Sequence, residues 1–135
     1  MKTLFFLILL SPLLVFSQHR LSVNVYNVPS SEGKVSAALY DSESSFLKFE
    51  QVAASSSASA KEGMTRLEFE NLPEGEYALA LFHDKNGNDA LDTNWLGIPK
   101  EKVAFSKGKM RAFGPPKYED CVFRVTSNEK INIYF

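Results

Sequence analysis

Residues 65–83 read TRLEFENLPEGEYALALFH, and this stretch decides the fold class. From Thr65 to Glu70 uncharged residues, two of them apolar (Leu67 and Phe69), alternate with charged ones, which is the pattern of a strand with one buried and one solvated face. The breaker cluster Asn71–Gly75 predicts a turn, and the apolar alternation then resumes over 77–83. Two successive strands without helical periodicity indicate an all-β domain.

Segments on both sides of this pair show similar patterns. Alternation predicts strands at 21–26 and 35–40, joined by a hairpin turn at 30–33, and at 122–125 and 131–135, joined as a final hairpin. The Ser/Ala run 53–60 is interpreted as an edge strand, with a flexible linker as the alternative. About seven short strands result, and they predict an antiparallel β-sandwich.

The N-terminal segment has the composition of a cleavable signal peptide. Lys2 precedes an apolar run from Leu4 to Val15, and Val15-Phe16-Ser17 provides a cleavage site after Ser17. The run is shorter than the roughly 20 residues of a membrane-spanning helix. We therefore expect a signal peptide at 1–17, a single β-sandwich domain at 18–135, a periplasmic or extracellular location, and no membrane insertion of the mature chain.

Composition limits the partners and the cross-links. The 135 residues include 15 basic and 16 acidic ones, for a net charge of -1, and this balance argues against nucleic acid as a partner. Cys121 is the only cysteine, so no internal disulfide can form. Its apolar neighbours predict that it is a small buried residue rather than a reactive thiol.

Residues 84–120 show little periodicity, and a long irregular stretch inside a compact domain is often functional. Four motifs stand at or next to this region: FHDKNGN (82–88), LDTNWLGIPKE (91–101), FGPP (113–116) and YED (118–120). With them, the chain resembles the DUF2141 family of uncharacterised exported bacterial proteins. The resemblance implies an immunoglobulin-like or transthyretin-like sandwich and no particular activity.

A candidate metal loop follows His83. Calcium prefers hard oxygen ligands, including carboxylates, side-chain amides and backbone carbonyls. The loop supplies these at short intervals, from the side chains and one carbonyl of Asp84, Asn86, Asn88, Ala90 and Asp92. The spacing differs from that of an EF-hand. The alternative, that Asn86-Gly87 is only a type I′ turn with solvated acids around it, stays open.

The same region concentrates aromatic residues that form a candidate ligand surface. Exposed rings can stack on a sugar or anchor a partner protein, and Gly114-Pro115-Pro116 is a rigid turn next to two further candidates. The predicted surface comprises Trp95, Phe105, Phe113, Tyr118 and Glu119. In the alternative interpretation, the rings cap one end of the sandwich core.

Three hypotheses for the function result. The leading one is a non-catalytic envelope module that binds a glycan, a peptide or a partner protein and that calcium stabilises. The rival is an enzyme of unknown class that uses His83, Asp84 and Glu119, although the sequence contains no catalytic motif. A remote alternative, suggested by the terminal Phe135, is a small outer-membrane barrel.

Overall fold

A computed structural model describes residues 17–135 as eight β-strands and two short helical segments. The predicted signal peptide lies outside the described residues, except for Ser17. In chain order the elements are β1 (Gln18–Val28), β2 (Lys34–Tyr40), a 3-10 helix (Phe49–Gln51), β3 (Ala54–Ser59), β4 (Gly63–Pro73), β5 (Gly75–Asp84), β6 (Val103–Phe105), α1 (Tyr118–Cys121), β7 (Phe123–Val125) and β8 (Glu129–Tyr134). Neither helical segment of this described part has the length or the apolar content to span a bilayer.

The strands form two sheets, which confirms the predicted all-β sandwich. One sheet has the order β4-β1-β8, and the other has the order β3-β2-β5-β6, with β7 paired to the start of β5. Every pairing is antiparallel except that of β1 with β8. The edge position predicted for the Ser/Ala run is confirmed, because β3 begins the five-stranded sheet. The additional strand, β6, lies in the region predicted to be irregular.

Both predicted hairpins are wrong. The chain crosses from one sheet to the other between β1 and β2, and β1 pairs with β4 instead. Likewise β7 pairs with β5, whereas β8 pairs with β1. Alternation indicates which face of a strand is buried but not which strand lies beside it. Strands that follow each other in sequence, such as β1 and β2, lie in opposite sheets here.

The hydrophobic core lies between the two sheets. Over residues 21–26 of β1 and 65–70 of β4, core-facing residues alternate with polar ones, as predicted, and register shifts interrupt the pattern near the ends of β1. Removing a large side chain from such a core typically costs about 2–5 kcal/mol. The fully or almost fully buried core residues include Leu21, Val23, Val25, Val35, Leu39, Leu67, Leu79 and Leu81.

The outer face of the five-stranded sheet is also apolar. Core residues occupy alternate positions of β2 and β5, so Ala38, Tyr40, Ala80 and Phe82 point away from the core, and all four are buried or half-buried. The segment that follows Asp84 lies against this face. This arrangement places the candidate functional regions on the outer face and at its end.

Candidate functional site

The metal-loop candidate begins where β5 ends. Asp84 is fully buried, and its carboxylate accepts hydrogen bonds from the backbone N–H of Asn88 (3.2 Å) and of Asp89 (2.9 Å). The backbone N–H of Gly87 donates to the Asp84 carbonyl at 3.2 Å, which closes the turn. Of the pair Asn86-Gly87, only Gly87 has a positive φ (67°). A type I′ turn requires both, so that interpretation is wrong.

The loop side chains converge on Asp92. The Nδ2 of Asn86 lies 2.8 Å from the Asp92 carboxylate, and the Nδ2 of Asn88 lies 3.0 Å from it. Ala90 donates its N–H to the Asn88 Oδ1 at 3.1 Å. Of the predicted ligand residues, Asn86, Asn88 and Asp92 are thus joined through their side chains, whereas the Asp84 carboxylate binds backbone N–H groups of the same loop.

The donor set of the loop is compatible with a hard cation. It consists of two carboxylates, two side-chain amides and a backbone carbonyl, which are ligand types that Ca²⁺ takes and Zn²⁺ does not favour. Within residues 17–135, no three His, Cys, Asp or Glu side chains gather to hold an ion. A cation in the loop would therefore need the amide oxygens of Asn86 and Asn88, which requires both amides to turn from their present hydrogen bonds to Asp92.

A shallow, strongly charged cleft lies beside the loop. Its lining includes Glu32, Lys85, Asp92, Lys100 and Glu101. The Lys85 ammonium lies 3.0 Å from the Glu32 carboxylate, and its hydrogen bond and charge lower the pKa of Glu32. Because the charges in the cleft are mixed and this pair is exposed, the cleft resembles a solvated ion-pair network more than a ligand site.

The three residues of the catalytic hypothesis are not assembled. His83 is almost fully buried, and its Nε2 donates to the Glu32 carbonyl at 2.7 Å. Glu119 is exposed on α1. This helix leads directly into β7, whose Phe123 pairs with Tyr77 near the start of β5, whereas His83 lies near the end of β5. The environments of His83 and Asp84 are thus those of structural residues that anchor the loop.

A groove of about 1030 Å³ runs along the outer face of the five-stranded sheet. Its floor is formed by β2, β3, β5 and β6. Its walls come from the segment around the 3-10 helix and from residues 85–117, which we call the excursion and which include β6. Most lining residues are small or apolar. They include Ser36, Ala38, Tyr40, Phe49, Ser55, Ala80, Phe82, Leu91, Leu96, Ile98, Val103, Phe105, Met110 and Phe113.

The predicted ligand-surface residues divide between the groove and other places. Phe105 and Phe113 line the groove, and the side chain of Phe113 is fully exposed at its margin. Trp95 is 90% exposed and precedes the lining residue Leu96. Tyr118 instead packs edge-on against Phe46, with ring centroids 5.7 Å apart, and burial raises its pKa.

The floor of the groove was not predicted from the sequence. Its signal is visible in β2 and β5, where Ala38, Tyr40, Ala80 and Phe82 fill positions that would be polar if the outer face were solvated. Near-continuous apolar strands are typical of sheets covered on both faces. In β1 and β4 the same positions are mostly polar, so the contrast between strands identifies the covered sheet.

Ser106 and Gly108 fasten the excursion to the sheet. Buried Ser106 accepts a hydrogen bond from the Leu79 N–H (2.9 Å) and donates one to the Cys121 carbonyl (2.6 Å). A Cβ on Gly108 would lie 2.7 Å from the Cys121 Sγ, so only glycine fits there. The predicted burial of Cys121 is confirmed, and this burial raises the pKa of its thiol.

Comparison with known proteins places the chain in a family without a described activity. Residues 23–133 match the sequence model of a family described as "Uncharacterized protein conserved in bacteria (DUF2141)". No curated protein and no solved structure matches the chain.

Proposed function

Because the chain belongs to the DUF2141 family, whose description assigns no activity, we propose a function from the geometry of the groove and the loop and from the N-terminal sequence. The protein is a non-catalytic exported module that binds an apolar ligand in the groove on its five-stranded sheet. The calcium loop at Asp84–Asp92 holds one end of the excursion that forms the groove wall. The observation that carries the proposal is the open apolar groove.

The size and lining of the groove support a binding role. Protein interiors are close-packed and leave few voids larger than a water molecule, whereas ligand sites typically enclose about 300–1,000 Å³. The groove is at the upper end of this range, with about 1030 Å³. An excursion that only had to cover the sheet would pack down on Ala38 and Ala80 and fill this space.

Exposed apolar side chains around the groove also support it. Phe49, Leu96, Ile98 and Phe113 line the groove, yet each is more than half exposed. Contiguous exposed apolar patches mark binding sites on soluble proteins. Of the ligand classes predicted from the sequence, a glycan fits least, because most of the lining is apolar and each hydroxyl group buried there without a hydrogen-bond partner is costly.

Calcium binding is supported by the oxygen-rich donor set and by the position of the loop. Asp84 ends β5, and Asp92 is tied to the start of the following segment through the Lys100 N–H and its own N–H bond to Glu101. An ion held between Asp84 and Asp92 would lock both ends of the loop. The number of carboxylates suggests the weak class of extracellular sites, with Kd of roughly 10⁻⁴–10⁻³ M.

Export rests on the signal sequence at residues 1–17. Mass spectrometry of the protein recovered from the periplasm or medium of a bacterial expression host should give a chain that starts at Gln18. A chain that stays in the cytoplasm with Met1 intact would overturn this part of the proposal.

The groove itself is tested with a neutral environment-sensitive dye. Nile red should bind the wild-type protein with increased fluorescence, and Ala38→Trp, which fills the floor, should abolish that binding. Asn132→Trp adds the same ring at an exposed site on β8, in the other sheet, and should bind the dye like the wild type. Equal binding by all three proteins, or no binding by the wild type, would refute the binding role.

A further inference from the structure

We infer that the groove binds a single-chain anionic amphiphile, a long-chain carboxylate, with its hydrocarbon chain over Ala38 and Ala80 and its head group at Arg111. The inference rests on the proposed function, since it requires that the groove binds an apolar ligand. It adds the chemical class of that ligand and the residue that selects its charge.

The central strands of the floor, β2 and β5, have no free backbone groups for a peptide. Ala38 pairs with Ser55 on one side and with Ala80 on the other, and Ala80 pairs in turn with Phe105. Peptides that bind sheets usually add a strand to a free edge. A peptide lying across these paired strands would bury its own N–H and C=O groups without partners, which is costly. A hydrocarbon chain has no such groups.

The surface shape of the groove floor fits a hydrocarbon chain that crosses the strands. Ser55, Ala38 and Ala80 are register neighbours on β3, β2 and β5, so their small side chains form a row across the sheet. Tyr40 lies two residues after Ala38 on β2, and Phe82 lies two residues after Ala80 on β5. Because these two strands are antiparallel, the two rings stand on opposite sides of the row. Small side chains between two large rings make a trough, and a trough suits a linear chain better than a broad ring system.

The charges of the lining identify the head group. Three lining residues carry charge, and two of them, Lys34 and Asp89, form a salt bridge with each other. Arg111 has no acidic partner within residues 17–135. Its Nε donates to the Pro115 carbonyl at 3.0 Å, which orients the guanidinium and leaves its two terminal nitrogens for a ligand. A guanidinium fork matches a carboxylate in two-point geometry.

Isothermal titration of the mature protein tests the inference with decanoate, laurate and the neutral methyl ester of decanoate, all below micelle-forming concentrations. We expect decanoate to bind about three- to tenfold more tightly than its ester, and laurate to bind roughly tenfold more tightly than decanoate, because each buried methylene adds a constant increment. Arg111→Gln should remove the preference for decanoate over the ester. Lys109→Gln, a cation two residues away that does not line the groove, should keep it.

Each contrary result has a separate meaning. Equal affinity for decanoate and its ester, or an unchanged preference in Arg111→Gln, overturns the anionic head group, while Nile red binding to the wild type would still support the groove. Absence of binding by all three compounds overturns the amphiphile as ligand. Co-sedimentation with phosphatidylglycerol vesicles without heat from decanoate overturns it in favour of a membrane surface.

Discussion

Gly33 lies directly against the carbonyl oxygen of Asp84. A Cβ built on Gly33 would overlap that oxygen and would lie 2.5 Å from the carbonyl oxygen of Lys85, and the φ of Gly33 is +67°. The turn before β2 therefore packs on the backbone that starts the candidate metal loop. The hydrogen bond from His83 Nε2 to the Glu32 carbonyl supports this contact, because it joins the residues that immediately precede Asp84 and Gly33.

Gly33→Ala should lower the free energy of unfolding by about 3 kcal/mol or more, because the left-handed φ costs about 1–2 kcal/mol and the overlap with backbone adds to it. Gly87→Ala is the matched control, since Gly87 has the same φ with nothing within 4 Å of its Cβ position. Urea unfolding in the presence of a chelator measures the free energy of unfolding of both variants. Equal losses in the two variants would mean that the contact with Asp84 is unimportant.

Ser106→Ala should destabilise the protein by about 1–3 kcal/mol, because it leaves the buried N–H of Leu79 without its side-chain partner and the Cys121 carbonyl without its donor. Ser59→Ala, at an exposed position of β3, should change stability by less than about 0.5 kcal/mol. The comparison requires only thermal or urea unfolding. If the two variants behave alike, Ser106 does not fasten the excursion.

The Cys121 thiol should make stability fall at alkaline pH. Burial raises its pKa in the folded state, whereas in the unfolded chain it ionises near its usual pKa of about 8.5. Its contribution is therefore complete below the unfolded pKa and is lost as pH rises through the folded pKa, by up to about 1.4 kcal/mol per pH unit.

Unfolding free energies at pH 7, 9 and 10 for the wild type and Cys121→Ala measure this effect. The variant should lose less stability between pH 7 and pH 10, while the buried Tyr40 and Tyr77, whose pKa values burial also raises, act equally in both proteins. Parallel pH profiles would show that the thiol stays protonated in both states or ionises in both.

Calcium at 10 mM should raise the melting temperature of chelator-treated protein by several degrees, because ligand at about 10–100 times its Kd adds roughly 1.4–2.7 kcal/mol. Asp92→Asn should weaken the titrated affinity by at least about tenfold, since it removes one of the two carboxylates of the loop. Asp41→Asn, at an exposed position outside the loop, should titrate like the wild type. No heat and no change in melting temperature would exclude the site.

The sequence predicted the strands that have one solvated face and failed on long-range relationships. Residues 21–26 and 65–70 alternate, so the buried faces of β1 and β4 were predictable from them. The bounds were not, because both strands extend further, to Gln18–Val28 and Gly63–Pro73, and β4 includes part of the predicted turn. Their pairing was not predictable either, because alternation carries no information about a partner that is more than forty residues distant, as Val23 is from Leu67.

The candidate sites show the same contrast between local features, which were predictable, and long-range contacts, which were not. The metal-loop residues are close in sequence, so their convergence around Asp92 was predictable from spacing. The groove is not, because Ala38, Ala80 and Phe113 meet only through the fold, and β6 is too short, at three residues, to show a period. The apolar outer positions of β2 and β5 were the local sign of this groove.

The parallel pairing of β1 with β8 joins the two ends of the described domain, with Leu21 opposite Glu129 and Tyr26 opposite Tyr134. In a chain that emerges N-terminus first, β1 can pair with β4 early. The other edge of β1 stays unpaired until β8 appears, which begins more than one hundred residues after the end of β1. Contacts so distant along the chain slow folding, and an unpaired edge invites wrong partners. We therefore expect the pairing of β8 with β1 to be the last step of assembly, and a chain in which β8 has not yet paired to be the form most prone to wrong association.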